Sequence, residues 1–88
     1  MTNSRKIAIE ALSSNPLIAL SGEQRAQLDN PDFDIDLVEI GMDSLGRMEL
    51  SIWLEIELGM TIPSSEIEKI ATLSALSTLI DVHLSSGK

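Results

Sequence analysis

Apolar residues recur at helical spacing in several stretches of this chain and lose that spacing between them. Ile7, Ala8, Ala11 and Leu12 form one stripe, the recurrence of a helix with a single buried face. It predicts a helix from about Ser4 to Ser14. Asn15-Pro16 ends it, because the residue before a proline is pushed out of the α region. A second pattern begins at Ser44 and runs to about Leu58, where Gly59 supplies a stop. Pro63 and Ser64 introduce a short third helix, about Ser65 to Lys69. Thr72 caps a fourth, about Leu73 to Leu84, with Leu73, Leu76, Leu79, Ile80 and Leu84 on or near one face.

Residues 17–40 carry no such period and predict a long, irregular connection. Inside it Ser21-Gly22-Glu23-Gln24 resembles a capping box, so Gly22 to Leu28 is expected to make an extra turn or two. Asp29-Asn30-Pro31-Asp32 is turn chemistry. Phe33, Ile35 and Leu37 then alternate with Asp34 and Asp36, the pattern of a short extended stretch with its apolar groups turned inward. The expected fold is all-α: a small four-helix bundle with a long loop between helices 1 and 2 and a short helix 3. One domain spans 1–88, ordered over about 4–84, with a frayed tail at 85–88.

The second helix has two apolar stripes. At about 100° per residue, Leu45, Met48, Ile52 and Ile56 fall on one side and Leu50, Trp53, Leu54 and Leu58 on nearly the opposite side, with acids between them. One stripe must face the core. Leu50, Leu54, Leu58, Ile62, Ile70 and Ile80 are expected to line that interior. The other stripe is a candidate docking surface, an apolar strip rimmed by acids, unless the 17–40 connection covers it.

Composition narrows the chemistry. Apolar residues make up 43% of 88 residues, but the aromatics are only Phe33 and Trp53. A core of Leu, Ile and Met favours packed helices. With no cysteine and one histidine, His83, the chain has few groups with which to catalyse a reaction itself. The absence of cysteine offers no disulfide framework, and Met1 to Lys6 lacks the apolar run of a signal peptide. No apolar stretch is long enough to span a membrane. These features predict a soluble, cytoplasmic protein without membrane insertion.

The net charge is −8, and it is concentrated: eleven acids lie from Asp29 to Glu68, where the basic residues up to position 69 are Arg47 and Lys69. Such a field disfavours nucleic acid and steers the chain toward basic protein surfaces. Asp32, Asp34 and Asp36 imitate the opening of a calcium loop. The pattern fails at Leu37, where glycine is required, and at Asp43, where a bidentate glutamate belongs.

The most informative residues are Gly41-Met42-Asp43-Ser44-Leu45. They present a serine hydroxyl at the start of a helix. Aspartate and serine there are ordinary helix caps when taken alone. A hydrolytic nucleophile is a poor reading, since His83 is the only imidazole and lies near the far terminus on a face expected to meet solvent. The five residues match the attachment motif of the acyl carrier protein family. The similarity continues through Glu49-Leu50, Ile62-Pro63, Glu68-Lys69-Ile70 and Thr72-Leu73, and covers residues 41–83.

That resemblance implies a free-standing, monomeric acyl carrier that is not an enzyme. It implies 4′-phosphopantetheine, taken from coenzyme A, joined to Ser44 through a phosphodiester, with Asp43, Gly41 and Leu45 around it. The arm would supply the thiol that the chain lacks. The partners implied are a phosphopantetheinyl transferase and acyl- or ketosynthase-type enzymes of fatty-acid, polyketide or related biosynthesis. They would dock on Met48, Glu49, Ile52, Glu55 and Ile56. The interior lined by Leu50, Leu54, Leu58, Ile62, Ile70 and Ile80 would open to shelter the acyl chain. Fatty-acid carriers are usually acidic two positions after the serine and often at the position of Ile56. Here Gly46 stands at the first of these, followed by Arg47, which leaves room for a specialised carrier. The alternative class is an acidic helical adaptor that binds proteins without carrying a prosthetic group.

Overall fold

The computed structural model describes residues 4–86. The first stripe forms α1, Ser4–Ser14, which buries Ala8, Ala11 and Leu12. The capping box forms as expected. Ser21 Oγ accepts from the Gln24 N–H at 3.0 Å and Gln24 Oε1 accepts from the Ser21 N–H at 2.8 Å, starting α2, Gly22–Gln27. The two-striped helix is α3, Ser44–Leu58. It ends where Gly59 turns left-handed at φ 67° and its N–H donates to Glu55, while the Met60 N–H donates to Leu54. That pair of bonds closes the orphan carbonyls of the last turn. α4, Ser64–Glu68, and α5, Leu73–Ser86, complete the chain.

α5 continues through Ser85 and Ser86, the first two positions of the expected tail. The rest of the expected tail, residues 87 and 88, lies outside the described residues. α1 packs against α5, and Ser4 Oγ donates to Asp81 Oδ1 across the pair at 3.0 Å. α3 lies against α1, and α4 against α3.

Alternation across 33–37 is only part of what the chain does there. Ile35 and Leu37 turn inward as expected, at 8% and 0% exposure. The segment pairs with residues 71–73 through Leu37 N–H to Ala71 O (2.9 Å) and Leu73 N–H to Ile35 O (3.0 Å). At Leu37, however, the backbone leaves the extended form and winds into a 3₁₀ turn, Leu37–Ile40. Asp36 Oδ1 caps that turn by accepting the Val38 N–H at 3.1 Å. Asp34 Oδ1 accepts from Ile35 and from Ser74 at the start of α5, both at 2.9 Å. These two acids therefore serve as caps for the backbone.

A single cluster holds the fold together, with Leu12, Leu37, Ile40, Leu50, Leu54, Ile67, Leu73, Leu76 and Ile80 all nearly inaccessible. Each such side chain stabilises the fold by roughly 1.5–3 kcal/mol through burial. Of the six expected interior residues, Leu50, Leu54, Ile62, Ile70 and Ile80 are buried, and Leu58 packs half-buried at the edge.

Candidate functional site

Two loops converge to present Ser44. The 3₁₀ turn ends at Gly41, whose φ of 101° is left-handed. A Cβ on Gly41 would lie 2.9 Å from the Leu17 carbonyl, so glycine is required for both conformation and space. The close approach that this glycine permits is to the 16–20 loop. That loop is pinned by the Ala19 N–H donating to Ile40 O at 2.8 Å. Met42 then buries its side chain, at 3% exposure, and anchors the turn leading to Ser44.

Asp43 is the cap of α3. Its Oδ1 accepts the Gly46 N–H at 2.9 Å, and its own carbonyl accepts from Arg47. Helices leave their first N–H groups without internal partners. Asp43 satisfies that of Gly46, and among the described residues those of Ser44 and Leu45 meet no acceptor. The Ser44 side chain is exposed and its hydroxyl is likewise unpaired among the described residues. No acid lies in the first turn of α3.

Asn15 is a contributor that the sequence reading treated only as a helix end. It is 6% exposed. Its Nδ2 donates to Gly46 O at 2.9 Å and its Oδ1 accepts from the Leu17 N–H at 3.0 Å. It thus ties the end of α1 to the first turn of α3. Buried amides need such partners, and an asparagine directly before a proline at a helix end was the available signal.

Beside Ser44 runs a groove of about 290 Å³ between α3 and α4, lined by Ser44, Arg47, Met48, Ser51, Ile52, Ser64, Ile67 and Glu68. None of the six expected interior residues lines it; those belong to the packed core. A smaller hollow of about 210 Å³, formed by Pro16, Leu17, Leu45, Met48 and Glu49, opens nearby. The outer stripe of α3 stays uncovered, with Leu45 57%, Met48 53%, Ile52 42% and Ile56 72% exposed. Glu55 is exposed beside it and Glu49 is half-buried.

His83 differs from its expected solvent-facing position. Its Nε2 donates to Glu66 Oε1 at 3.1 Å, joining α5 to α4, and its side chain is 27% exposed. The imidazole is engaged in a structural contact.

An exposed, unpaired hydroxyl at a helix N-terminus beside an apolar groove defines a place for attaching a group. Two unpaired N–H groups and the positive end of the helix dipole favour an anion there, beside the Asp43 carboxylate that caps the same helix end. The sequence model described as phosphopantetheine attachment site matches residues 23–80. The chain belongs to this family of carrier domains, which hold 4′-phosphopantetheine covalently on a serine. No solved structure matches the chain.

Proposed function

We propose that this chain is an acyl carrier protein in which Ser44 Oγ bears the 4′-phosphopantetheine arm. It passes acyl thioesters between enzymes of fatty-acid, polyketide or related biosynthesis and catalyses nothing itself. The observation that carries this reading is Ser44 itself: exposed, unpaired, and flanked by two free N–H donors at the mouth of an apolar groove. The prosthetic group supplies a thiol, and cysteine is absent from the chain. Asp43 holds the first turn of α3 and Gly41 the approach to it.

Partners dock on the outer stripe. Met48, Ile52 and Ile56 offer apolar surface, and Glu49 and Glu55 offer charge. The complementary surface is an apolar pocket bordered by Arg or Lys, as on a phosphopantetheinyl transferase or an acyl- or ketosynthase-type enzyme. Opposite charges at such a rim raise encounter rates more than final affinity. We read the protein as a cytoplasmic monomer of one carrier domain. Among the described residues no helix is long and apolar enough to cross a membrane. The groove between α3 and α4, rather than the filled core, is where an apolar cargo shelters.

The test is intact mass after incubation with coenzyme A and a promiscuous phosphopantetheinyl transferase. The wild-type chain gains one phosphopantetheine. Ser44→Ala gains nothing and keeps its helical circular-dichroism signal. Modification that persists in Ser44→Ala refutes the assignment, and a wild-type chain that never gains mass leaves the adaptor.

A further inference from the structure

The groove beside Ser44 has one firm wall and one that depends on being held. α3 is a 15-residue helix capped at both ends. α4 has 5 residues, and the residue before it, Pro63, makes no side-chain cap. So short a helix has no stability of its own, and its position is set by what grips it. Ile67 roots it in the core at 2% exposure. His83 holds Glu66 from the α5 side.

Arg47 provides the third grip, and of the two polar grips it alone stands in the groove. Its Nη1 donates to Ile67 O at 2.6 Å and to Ile70 O at 2.8 Å. Ile67 is the second-last residue of α4 and Ile70 follows two residues after its end, a place where a positive charge is favoured. Arg47 is three residues after Ser44, on the same side of α3, and lines the groove with it. It is also the one basic residue from Asp29 to Glu68, among eleven acids. Among the described residues it nevertheless pairs with no carboxylate; Nη1 is committed to α4.

We propose that Arg47 is the latch that sets the width of this groove, and through it the length of acyl chain the carrier shelters. The inference rests on the reading of the groove as the cargo's shelter. With the latch closed, the groove of about 290 Å³ takes only the shorter chains. A longer chain needs α4 to swing away from α3, and that swing breaks both Arg47 bonds. Arg47 is a positioning residue, acting on the cargo through α4.

Four proteins test it: wild type, Arg47→Met, Arg47→Lys and His83→Ala. Amide hydrogen exchange is measured on each unmodified chain. Thermal midpoints are measured on each phosphopantetheinylated chain, free and loaded with a series of saturated acyl groups from short to long. Arg47→Met keeps the stem and removes the donors. Its α4 amides should exchange roughly tenfold faster or more, the factor expected from losing charge-assisted bonds. The acyl length giving its largest rise in midpoint should be longer than in wild type. Arg47→Lys, with a donor and the charge restored, should stay nearer wild type. His83→Ala loosens α4 from the other side and should speed exchange without moving the preferred length.

An unchanged preferred length in Arg47→Met overturns the latch. So does an equal shift in His83→Ala, which would make the effect a general loosening of α4. If no acyl group stabilises the wild type, the cargo lies outside the groove; that reading falls and the latch falls with it. A normal wild-type profile that Arg47→Met merely copies refutes the latch alone.

Discussion

Asp43 carries two separable contributions, and its replacement measures both. Its Oδ1 accepts the Gly46 N–H at 2.9 Å, the one side-chain bond that closes the start of α3. Removing a cap of this kind costs about 1 kcal/mol. Its negative charge at the positive end of a 15-residue helix adds about 0.3–1 kcal/mol. Asp43→Ala loses both and should fall by about 1–2 kcal/mol. For a domain of this size that is a drop of about 4–16 °C in the thermal midpoint, at about 4–8 °C per kcal/mol. Asp43→Asn keeps an oxygen for Gly46 and loses only the charge, so it should fall by about 0.3–1 kcal/mol. Circular dichroism at several salt concentrations is the assay. Salt should shrink the deficit of Asp43→Asn, because the dipole term is screened, and leave most of the deficit of Asp43→Ala. If the two variants unfold at one midpoint, the hydrogen bond contributes nothing and the capping argument is refuted. Modification rates on the same proteins separate fold from recognition. An Asp43→Asn chain that folds normally but accepts the arm slowly places the carboxylate's charge at the transferase.

Three further outcomes follow from the geometry. Glu49→Lys reverses a charge on the proposed docking face, so transferase modification should slow most at low salt; a rate and salt profile equal to wild type would move docking elsewhere. Gly41→Ala forces a left-handed residue and sets a Cβ 2.9 Å from the Leu17 carbonyl; it should cost about 2 kcal/mol or more, read as a lower urea midpoint. Asp34 is held below its ordinary value of 3.8: partial desolvation raises it, but bonds from the Ser74 and Ile35 backbone and the Ser74 and Thr72 hydroxyls outweigh that. A carboxylate lowered in the folded state stabilises fully above its unfolded value, and the effect is lost as pH falls through the folded one. The urea-midpoint gap between wild type and Asp34→Ala should therefore be wide at pH 6 and narrow progressively below 3.8.

Much of this protein is written in short-range signals. Asn15-Pro16, the Ser21–Gln24 box, Gly59 and Thr72 each act within a few residues, and each starts or stops a helix where the sequence reading put it. The two stripes of α3 were legible for the same reason, since helical geometry fixes which residues share a face. One stripe, Leu50 and Leu54, is buried, and the other, Leu45 to Ile56, is bare. The residues around Ser44 also stand together in the sequence.

What the chain does across distance was not legible. The turn at Leu37–Ile40 overrides the alternation before it, because pairing with residues 71–73 ends there and Asp36 caps a new direction. The space that Gly41 protects belongs to a loop more than twenty residues earlier. Arg47 reads in sequence as a stray positive charge on an acidic face, and His83 as a surface imidazole. Their partners are carbonyls 20 and 23 residues away and a carboxylate 17 residues away. Periodicity separates the inward from the outward side of a helix, but it cannot show where two helices leave a gap. Leu50, Leu54 and Ile80 are fully buried, and a groove lies at the edge between α3 and the five-residue α4, on the side of α3 that carries Ser44.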